Sequence, residues 1–157
     1  MYILSYALGI IAILGNAVTY GTDTFAAVVW RTSLRHLDNS ALTRLVGYVH
    51  YYGDRRLPIP GAIGFTAACL SLVAAILAGR VEAAIAGAIA VAALTAWLVI
   101  YTRSAKPINE KFSAAALANE ELSNAQALQA DWDRLINTRV GIQMVALAAL
   151  GTALALP

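Results

Sequence analysis

Residues 60–101 decide the fold, and they read PGAIGFTAACLSLVAAILAGRVEAAIAGAIAVAALTAWLVIY. Two apolar runs, 60–79 and 83–101, each reach the roughly 17 to 25 residues that an α-helix needs to cross a bilayer. Only residues 80–82 separate the two runs, so the helices must form a tight antiparallel hairpin. This stretch therefore predicts a pair of adjacent membrane-spanning helices.

Two more apolar runs complete a predicted set of four helices. They cover residues 3 to about 30 and about 139 to 156. The first run is longer than the hydrocarbon layer is thick, so it must tilt or extend beyond the membrane, which places Asp23 near an interface. Hydrophobic residues make up 60% of the chain and charged residues only 13%, and the mean hydropathy is +0.67, unlike a soluble domain. We expect an all-α, integral membrane four-helix bundle in which residues 1–157 form a single transmembrane domain.

The basic residues predict how the bundle is oriented. Of the eleven Lys and Arg residues, all except Arg80 fall between helices one and two, between helices three and four, or at the start of helix four. They are Arg31, Arg35, Arg44, Arg55, Arg56, Arg103, Lys106, Lys111, Arg134 and Arg139. The positive-inside rule then predicts that both long connections are cytoplasmic and that the N and C termini lie outside. A net charge of only +2, without a basic patch that interleaves aromatic residues, argues against a nucleic-acid partner.

The connection between helices one and two is predicted to contain an amphipathic cytoplasmic helix. Asp38 offers an N-cap, and apolar residues then recur at helical spacing over residues 42–49. This helix should end near Gly53 and lie on the membrane or on the bundle. Pro58 and Pro60 should then hold the chain extended and start helix two.

The connection between helices three and four is predicted to form a helical extension before helix four. Residues 109 to about 129 are rich in Ala, Glu, Asn and Gln, which favour a helix by propensity, and we expect this helix to run into helix four. Small residues such as Ala83 and Gly87, four positions apart, permit close helix approach. They are interpreted as packing inside the bundle, with a homo-oligomer face as the alternative.

Helix one carries a polar stripe formed by Asn16, Tyr20 and Asp23, at positions i, i+4 and i+7. Polar groups in lipid are costly unless they face inward and find partners, so the stripe should face the bundle interior. Asp23 lies at about the depth of Arg139 and Tyr101, and an ion pair between Asp23 and Arg139 would satisfy both charges. This pair is interpreted either as a structural lock between helices one and four or as part of a functional site.

His50 lies in an aromatic segment, residues 48–52, just before the proline-containing turn. At the cytoplasmic mouth of the bundle it could act as a general base, a haem ligand or a hydrogen-bond donor, or only anchor an interface. No metal centre is expected, because His36 and His50 lack i, i+4 spacing and join no carboxylate cluster. Neither histidine lies in a span, so a haem would have His50 as its single ligand.

The densest polar cluster opens helix four and contains Asp131, Trp132, Asp133, Arg134, Asn137 and Arg139. Arginine binds phenolates or carboxylates, tryptophan stacks on flat rings, and asparagine can orient a carbonyl or an O2-derived oxygen. Taken singly, these residues fit an interfacial anchor and positive-inside markers. Taken together, they predict a cavity wall suited to a planar, oxygenated aromatic ligand.

The order of these features resembles the anthrone-oxygenase-like family of small four-helix membrane proteins. The resemblance covers most of the chain and includes His50 in its aromatic setting before Pro58 and Pro60. Its most specific part is a Pro-x-Asn followed by Trp-x-x-x-x-Asn-x-Arg, formed here by Pro107, Asn109, Trp132, Asn137 and Arg139. Characterised members are linked to the O2-dependent oxidation of anthrones to anthraquinones.

The resemblance implies a membrane oxidoreductase that acts on a hydrophobic phenolic or polyketide-like aromatic. In this hypothesis the substrate enters from the membrane plane, Arg139 stabilises its phenolate or enolate, and His50 or Asp23 accepts the proton. The candidate substrate-binding residues are Trp132, Asn137, Asn109 and Tyr101. This hypothesis requires no cofactor, and a haem-assisted variant stays open.

A second hypothesis is a non-catalytic membrane accessory protein whose polar cluster is a structural lock. The predicted amphipathic helix, residues 41–52, and the pair Arg55 and Arg56 would then bind membrane lipids with anionic headgroups, or a partner. A transporter or channel is less well supported, because the sequence has no broken helix and no mid-bilayer binding pair beyond Asn16.

Overall fold

The computed structural model describes residues 2–156 and places them in helices joined by short turns. The helices are α1 (Tyr2–Phe25), α2 (Arg31–Leu34), α3 (Asn39–Arg56), α4 (Pro58–Leu77), α5 (Val81–Ile100), α6 (Lys106–Ala118), α7 (Ala125–Asp133) and α8 (Ile136–Ala155). Two π-helical turns, Ala26–Trp30 and Tyr101–Ala105, join α1 to α2 and α5 to α6. The predicted all-α class is confirmed.

These elements combine into four long helical segments. The segments are Ile3–Leu34, Asn39–Leu77, Val81–Ala118 and Ala125–Ala155, and each is long and apolar enough to cross a membrane. The third segment has 38 residues. At 1.5 Å per residue it is about 57 Å long, almost twice the ~30 Å thickness of the hydrocarbon layer. The bundle is therefore much longer than a bilayer would cover.

One half of the bundle is apolar and consists of α1, α4, α5 and α8, each of which contacts two neighbours around a ring. Its core uses small side chains such as Ala12, Ala68 and Ala146, while larger aliphatic side chains face outward. At the crossing of α1 and α4, a Cβ added to Gly15 would lie 2.7 Å from the Cα of Gly64. Close approach through small residues is typical of helices that pack within membranes.

The other half carries most of the charged residues and is built from α2, α3, α6 and α7. Its buried core consists of Leu34, Leu42, Val46, Phe112 and Ala125. α3 crosses α6 at Gly47, where an added Cβ would overlap the carbonyl oxygen of Phe112. Asp38 caps α3 as predicted, because its carboxylate accepts a hydrogen bond of 2.7 Å from the backbone N–H of Ala41.

The junction between α3 and α4 differs from the sequence prediction. α3 does not end near Gly53 but continues to Arg56, and Leu57 keeps a right-handed helical conformation, with φ −66° and ψ −29°. Pro58 stands at the start of α4, where its fixed φ fits a helix and its missing N–H costs little. The expected extended segment is therefore wrong. α3 leads directly into α4 and packs against α6 and α7.

The segment before helix four also differs from the prediction. Asn109 lies on α6, which follows α5 and ends at Ala118. Asn119 then adopts a left-handed conformation, φ 56°, which asparagine tolerates better than most residues. The expected uninterrupted helix from 109 into helix four is therefore wrong. Only α7 stands directly before α8, and a short turn at 134–135 separates the two.

At the opposite end of the bundle, Arg80 closes the hairpin between α4 and α5. Its guanidinium donates to Ser5 Oγ at 3.2 Å and to the carbonyl oxygens of Ala153 and Leu156 at 3.3 and 2.5 Å. The side chain is buried. This cation therefore ties the start of α1 and the end of α8 to the hairpin.

Candidate functional site

A cavity of about 820 Å³ lies where the two halves of the bundle meet. Its walls come mainly from α1, α3, α4, α5 and α8, with single residues from α6 and α7. Most of the lining is apolar, and it includes exposed side chains such as Phe25, Val49 and Leu98, so the cavity opens outward through an apolar rim. Two aspartates organise its polar side chains into two hydrogen-bonded groups.

The first group is centred on Asp23 in α1. Arg139 in α8 forms the predicted ion pair with this carboxylate, through Nη2 and through Nε at 3.2 Å. Gln143 Nε2 and Trp97 Nε1 donate to Asp23 Oδ2 at 2.7 and 2.9 Å. Only 8% of the Asp23 side chain and 3% of the Arg139 side chain are exposed. The carboxylate thus accepts four hydrogen bonds, three of them on Oδ2, and these bonds hold α1, α5 and α8 together.

The second group is centred on Asp54 in the last turn of α3. Tyr101 Oη donates to Asp54 Oδ1 at 2.8 Å, and Asn109 Nδ2 lies 3.1 Å from each carboxylate oxygen. Trp132 Nε1 donates to Asn109 Oδ1 at 2.9 Å and so fixes the orientation of that amide. Within residues 2–156, Asp54 has no salt-bridge partner, so neutral groups alone hold its carboxylate.

Aromatic contacts join the two groups into a closed ring of side chains. Trp97 stacks on Tyr101 with ring centroids 5.4 Å apart and an angle of 7° between the planes. The guanidinium carbon of Arg139 lies 4.6 Å from the ring centroid of Trp132. In order of contact, the ring contains Asp23, Trp97, Tyr101, Asp54, Asn109, Trp132 and Arg139. A change in one member is therefore expected to disturb its neighbours.

Two π-helical turns help to place these side chains. One begins three residues after Asp23, and the other begins at Tyr101. Ala26 of the first turn and Ala105 of the second pack with Trp132 in one buried cluster. A π turn inserts an extra residue into a helix and is frequent at functional sites. Both turns thus contribute to the cluster that packs around Trp132.

One nitrogen of Arg139, Nη1, is buried and has no hydrogen-bond partner among the described residues. Arg139 also lines the cavity. A buried donor without an acceptor costs roughly 1–3 kcal/mol, and more when it is charged. A carbonyl or anionic oxygen of a ligand would satisfy Nη1 while Nε and Nη2 stay on Asp23.

His50 lines the cavity one helical turn before Asp54. Its ring contacts that of Trp132, with centroids 5.8 Å apart and the planes tilted by 43°. Burial lowers the pKa of His50 to about 4; the carboxylate of Asp54 opposes this effect, and the guanidinium of Arg139 adds to it. The imidazole is therefore neutral at pH 7 and can both accept and donate a hydrogen bond in the cavity.

The structure brings most of the candidate site residues together. Those that line the cavity are His50, Asp23, Arg139, Trp132, Asn109 and Tyr101. Asn137 does not line it: the residue is exposed, and its Oδ1 lies 3.5 Å from Nη1 of Arg31. Of the polar stripe on helix one, Asn16 lines the cavity with Asp23, whereas Tyr20 is half-buried and does not contribute to the lining.

Sequence analysis misses three polar residues of the two hydrogen-bonded groups: Asp54, Trp97 and Gln143. Each lies one helical turn from a residue that the sequence does identify, namely His50, Tyr101 and Arg139 respectively. Residues four positions apart share a helix face. A search for polar residues one helical turn before and after each candidate residue would therefore have found all three.

The cavity offers few ligands for a metal or a haem. Among the described residues, no group of three or more His, Cys, Asp or Glu side chains is placed to hold a metal ion. His50 is the one histidine in the lining, and its ring packs against Trp132. A haem at this site would depend on that single protein ligand, and the absence of a cofactor stays a prediction.

The arrangement combines three chemical capabilities. Aromatic and aliphatic walls can hold a flat apolar molecule, Arg139 Nη1 can donate to its oxygen, and His50 or Asp54 can accept a proton.

Comparison of the chain with protein-family models, with curated proteins and with solved structures finds no match.

Proposed function

We propose that the protein is an integral membrane oxidoreductase that oxidises a hydrophobic, oxygenated aromatic with O2, as the anthrone oxygenases that its sequence resembles do. The observation that carries the proposal is a large, mostly apolar cavity lined by Arg139, whose buried Nη1 has no hydrogen-bond partner among the described residues. A phenolic or polyketide-like ring system suits this combination. Its faces match the apolar lining, and its oxygen can accept the hydrogen bond that Arg139 has free.

The exterior of the apolar half supports a location in the membrane. Large aliphatic side chains on α4 and α5 are about half exposed, among them Ile63, Leu70, Val73, Ile85 and Ile89. Soluble monomers rarely expose contiguous apolar faces of this size, whereas lipid solvates them. Because ten of the eleven basic residues lie in the charged half or at its boundary, this half is placed in the cytoplasm and the N and C termini outside.

The position of the cavity suits a substrate dissolved in the bilayer. The cavity lies between the apolar and charged halves, which corresponds to the cytoplasmic membrane interface in the proposed topology. Its outward opening is bordered by exposed apolar side chains, including Phe25 and Leu98. A hydrophobic aromatic would therefore reach the polar ring of the cavity without crossing water.

The proposed reaction converts a ring methylene into a carbonyl group. A base removes one methylene proton, and the electron pair of that C–H bond moves into the ring, so that the existing carbonyl becomes an enolate stabilised by Arg139. O2 then takes up the electrons and bonds to the same carbon. The resulting peroxide is protonated, and loss of water with the second methylene hydrogen leaves the new carbonyl. Overall, one methylene group and one molecule of O2 give one carbonyl group and one molecule of water.

The test uses the full chain in lipid nanodiscs with anthrone as the probe. We expect anthraquinone to form faster than in empty nanodiscs. One molecule of O2 should be consumed for each anthraquinone formed. Removing a donor that stabilises developing negative charge typically costs about 10²–10³-fold in rate, which is the loss expected for Arg139→Gln. The control Arg134→Gln changes an exposed arginine paired with Asp131 and should keep the wild-type rate.

Equal rates for the protein and for empty nanodiscs would reject the proposal. The two variants are compared only after both elute as the wild type does in gel filtration, because Arg139 also holds Asp23. The absorption spectrum of the same sample tests the haem variant. A haem band that is present in the wild type and disappears in His50→Ala would add a haem to the proposed site. A sample that oxidises anthrone and shows no haem band would exclude a requirement for haem.

A second candidate function, a non-catalytic lipid-binding protein, is favoured by the outer face of α3. Tyr48 and Tyr52 are 45% and 49% exposed, and the guanidinium groups of Arg55 and Arg56 lie 3.7 and 5.1 Å from the ring centroids of Tyr51 and Tyr52. Such a face suits anionic phospholipid headgroups. Replacing both arginines with Gln should reduce the anionic lipid that copurifies, as measured by mass spectrometry, and leave anthrone oxidation unchanged.

A further inference from the structure

We infer that Asp54, rather than Asp23, is the catalytic base of the proposed oxidation. This inference rests on the proposed function and names the residue that takes the proton. The sequence alone points to Asp23 or His50 for this role. The hydrogen bonds of the two carboxylates in the cavity lead to a different assignment.

Asp23 is poorly suited to act as a base. Its carboxylate accepts hydrogen bonds from Gln143, Trp97 and two nitrogens of Arg139. The guanidinium also neutralises its charge at contact distance. Protonation of Asp23 would leave the charge of Arg139 uncompensated inside a buried site, which is costly.

Asp54 has the opposite surroundings. Its donors, Tyr101 and Asn109, are neutral, so its negative charge is not compensated by a partner at salt-bridge distance in the described chain. The residue is half-buried and lines the cavity that a ligand would occupy. A positioned, uncompensated carboxylate is the kind of group that abstracts a proton from carbon.

The base and the oxygen-binding donor meet at the same aromatic side chain. Trp132 contacts the guanidinium of Arg139 through its ring face and bonds to Asn109 through its N–H. Asn109 in turn donates to Asp54. A flat ring held near Trp132 would therefore lie within the circle of residues that contains both groups. Its methylene can approach Asp54 while its carbonyl oxygen approaches Arg139.

His50 fits this assignment as a positioning residue. It lies one helical turn from Asp54, and its ring contacts Trp132. Because burial lowers the pKa of His50 to about 4, it is neutral at pH 7 and adds no positive charge beside Asp54. The other titratable or charged groups near Asp54 are Tyr101 on the π turn and the next two residues of the chain, Arg55 and Arg56, whose side chains are exposed; Arg139 on α8 acts on His50.

The step itself is a single proton transfer. The C–H bond of the ring methylene breaks, its proton goes to an oxygen of Asp54, and its electron pair goes to the oxygen bound by Arg139. No oxidant takes part until O2 reacts with the enolate. Without O2 the transfer is reversible, so hydrogen in the methylene should exchange with solvent.

This reversibility provides the test. Wild-type protein in nanodiscs is incubated with anthrone in deuterated water without O2, and deuterium in the methylene is followed by mass spectrometry against empty nanodiscs. We expect the protein to accelerate exchange and Asp54→Asn to lose at least ~10²-fold of that acceleration, the lower range for general base catalysis. The matched control is Asp133→Asn, another half-buried aspartate with an amide donor, Gln129, but outside the cavity. It should exchange at the wild-type rate.

The outcomes separate this inference from the proposed function. If Asp54→Asn exchanges as fast as the wild type while both oxidise anthrone, the assignment of the base is overturned and the oxidase stands. If the wild type neither exchanges nor oxidises anthrone, both fall together. Loss of exchange in Asp54→Asn alone supports the assignment.

A second variant keeps the test decisive if Asp54→Asn does not fold. Asp54→Ala leaves room for a small carboxylate, so added acetate should restore exchange in proportion to its concentration, and added chloride should not. Failure of acetate to restore exchange in folded Asp54→Ala would overturn the assignment.

Discussion

Asp23 in α1 and Arg139 in α8 form an ion pair in which both side chains are almost completely buried. The pair lies at the boundary between the apolar and charged halves of the bundle. Two nitrogens of Arg139 bond to Asp23, and the third, Nη1, has no partner in the described chain. The structural lock and the functional site are therefore compatible, because different atoms of one guanidinium can serve each.

The first prediction concerns the stability of this pair. Removing one member of a buried ion pair leaves the other charge uncompensated and typically costs about 3–5 kcal/mol. Asp23→Asn and Arg139→Gln should each lower the stability of the protein in detergent by about this amount. The double variant should lose clearly less stability than the sum of the two single losses, since it leaves no unpaired charge. Thermal unfolding of the four proteins in the cycle measures the coupling.

The exposed pair of Asp131 and Arg134 provides the control for this cycle. These side chains are 55% and 75% exposed, and their closest atoms are 2.8 Å apart. Exposed ion pairs contribute about 0–1 kcal/mol, so Asp131→Asn should change stability little. Equal losses at Asp23 and Asp131 would contradict the burial described here.

The second prediction is a pH dependence of stability that arises from His50. The pKa of His50 in the folded protein is about 4, below its ordinary value of 6.5. At a pH between these two pKa values, the imidazole binds a proton in the unfolded chain but not in the folded protein. The stabilisation is therefore complete above pH 6.5 and is lost as the pH falls towards 4, by up to about 3 kcal/mol.

This dependence is measured by thermal unfolding in detergent at pH 7 and pH 4.5. The unfolding temperature of the wild type should fall more over this range than that of His50→Asn, which has no imidazole to protonate. His36→Asn replaces an exposed histidine outside the cavity and should follow the wild type. An identical fall in wild type and His50→Asn would show that protonation of His50 is not coupled to folding.

The third prediction tests the contact between α3 and α6. A Cβ at Gly47 would overlap the carbonyl oxygen of Phe112, and backbone cannot move aside as a flexible side chain does. Gly47→Ala should therefore destabilise the charged half by about 1–3 kcal/mol. Gly53→Ala on the same helix meets only a leucine side-chain atom at 3.7 Å. It should be neutral or stabilising by up to about 1 kcal/mol, because Ala favours helices more than Gly does.

Much of the fold can be predicted from hydropathy, because each of the four apolar runs in the sequence coincides with a long helix of the structure. The sequence predictions are wrong where the local sequence is compatible with two backbone conformations. Pro58 can follow an extended residue or open a helix, and tertiary contacts of α3 with α6 select the second. Asn119 ends α6 in a left-handed conformation although its neighbours favour a continuous helix.

The site is only partly readable for a related reason. Asp23 and Arg139 are conspicuous because charges are rare beside apolar runs, and the sequence pairs them correctly. Asp54 lies next to two arginines, which suggests a solvated charged segment, and only the packing of α3 against α6 brings it to Asn109. Which oxygen accepts which hydrogen bond depends on helix rotation, and hydropathy does not determine that rotation.

The fourth prediction concerns orientation in the membrane. Glu120 lies in the turn after α6, and Glu82 lies at the start of α5, next to the hairpin turn at the opposite end of the bundle. Both residues are exposed, so they form a matched pair for cysteine labelling. In a Cys69→Ala background, Glu120→Cys should react with an impermeant maleimide only after the cells are opened. Glu82→Cys should react in intact cells, because the proposed topology puts the hairpin, which has a single arginine, outside. Labelling of Glu120→Cys in intact cells would reverse the topology and place the charged half, with the mouth of the cavity, on the outer face of the membrane.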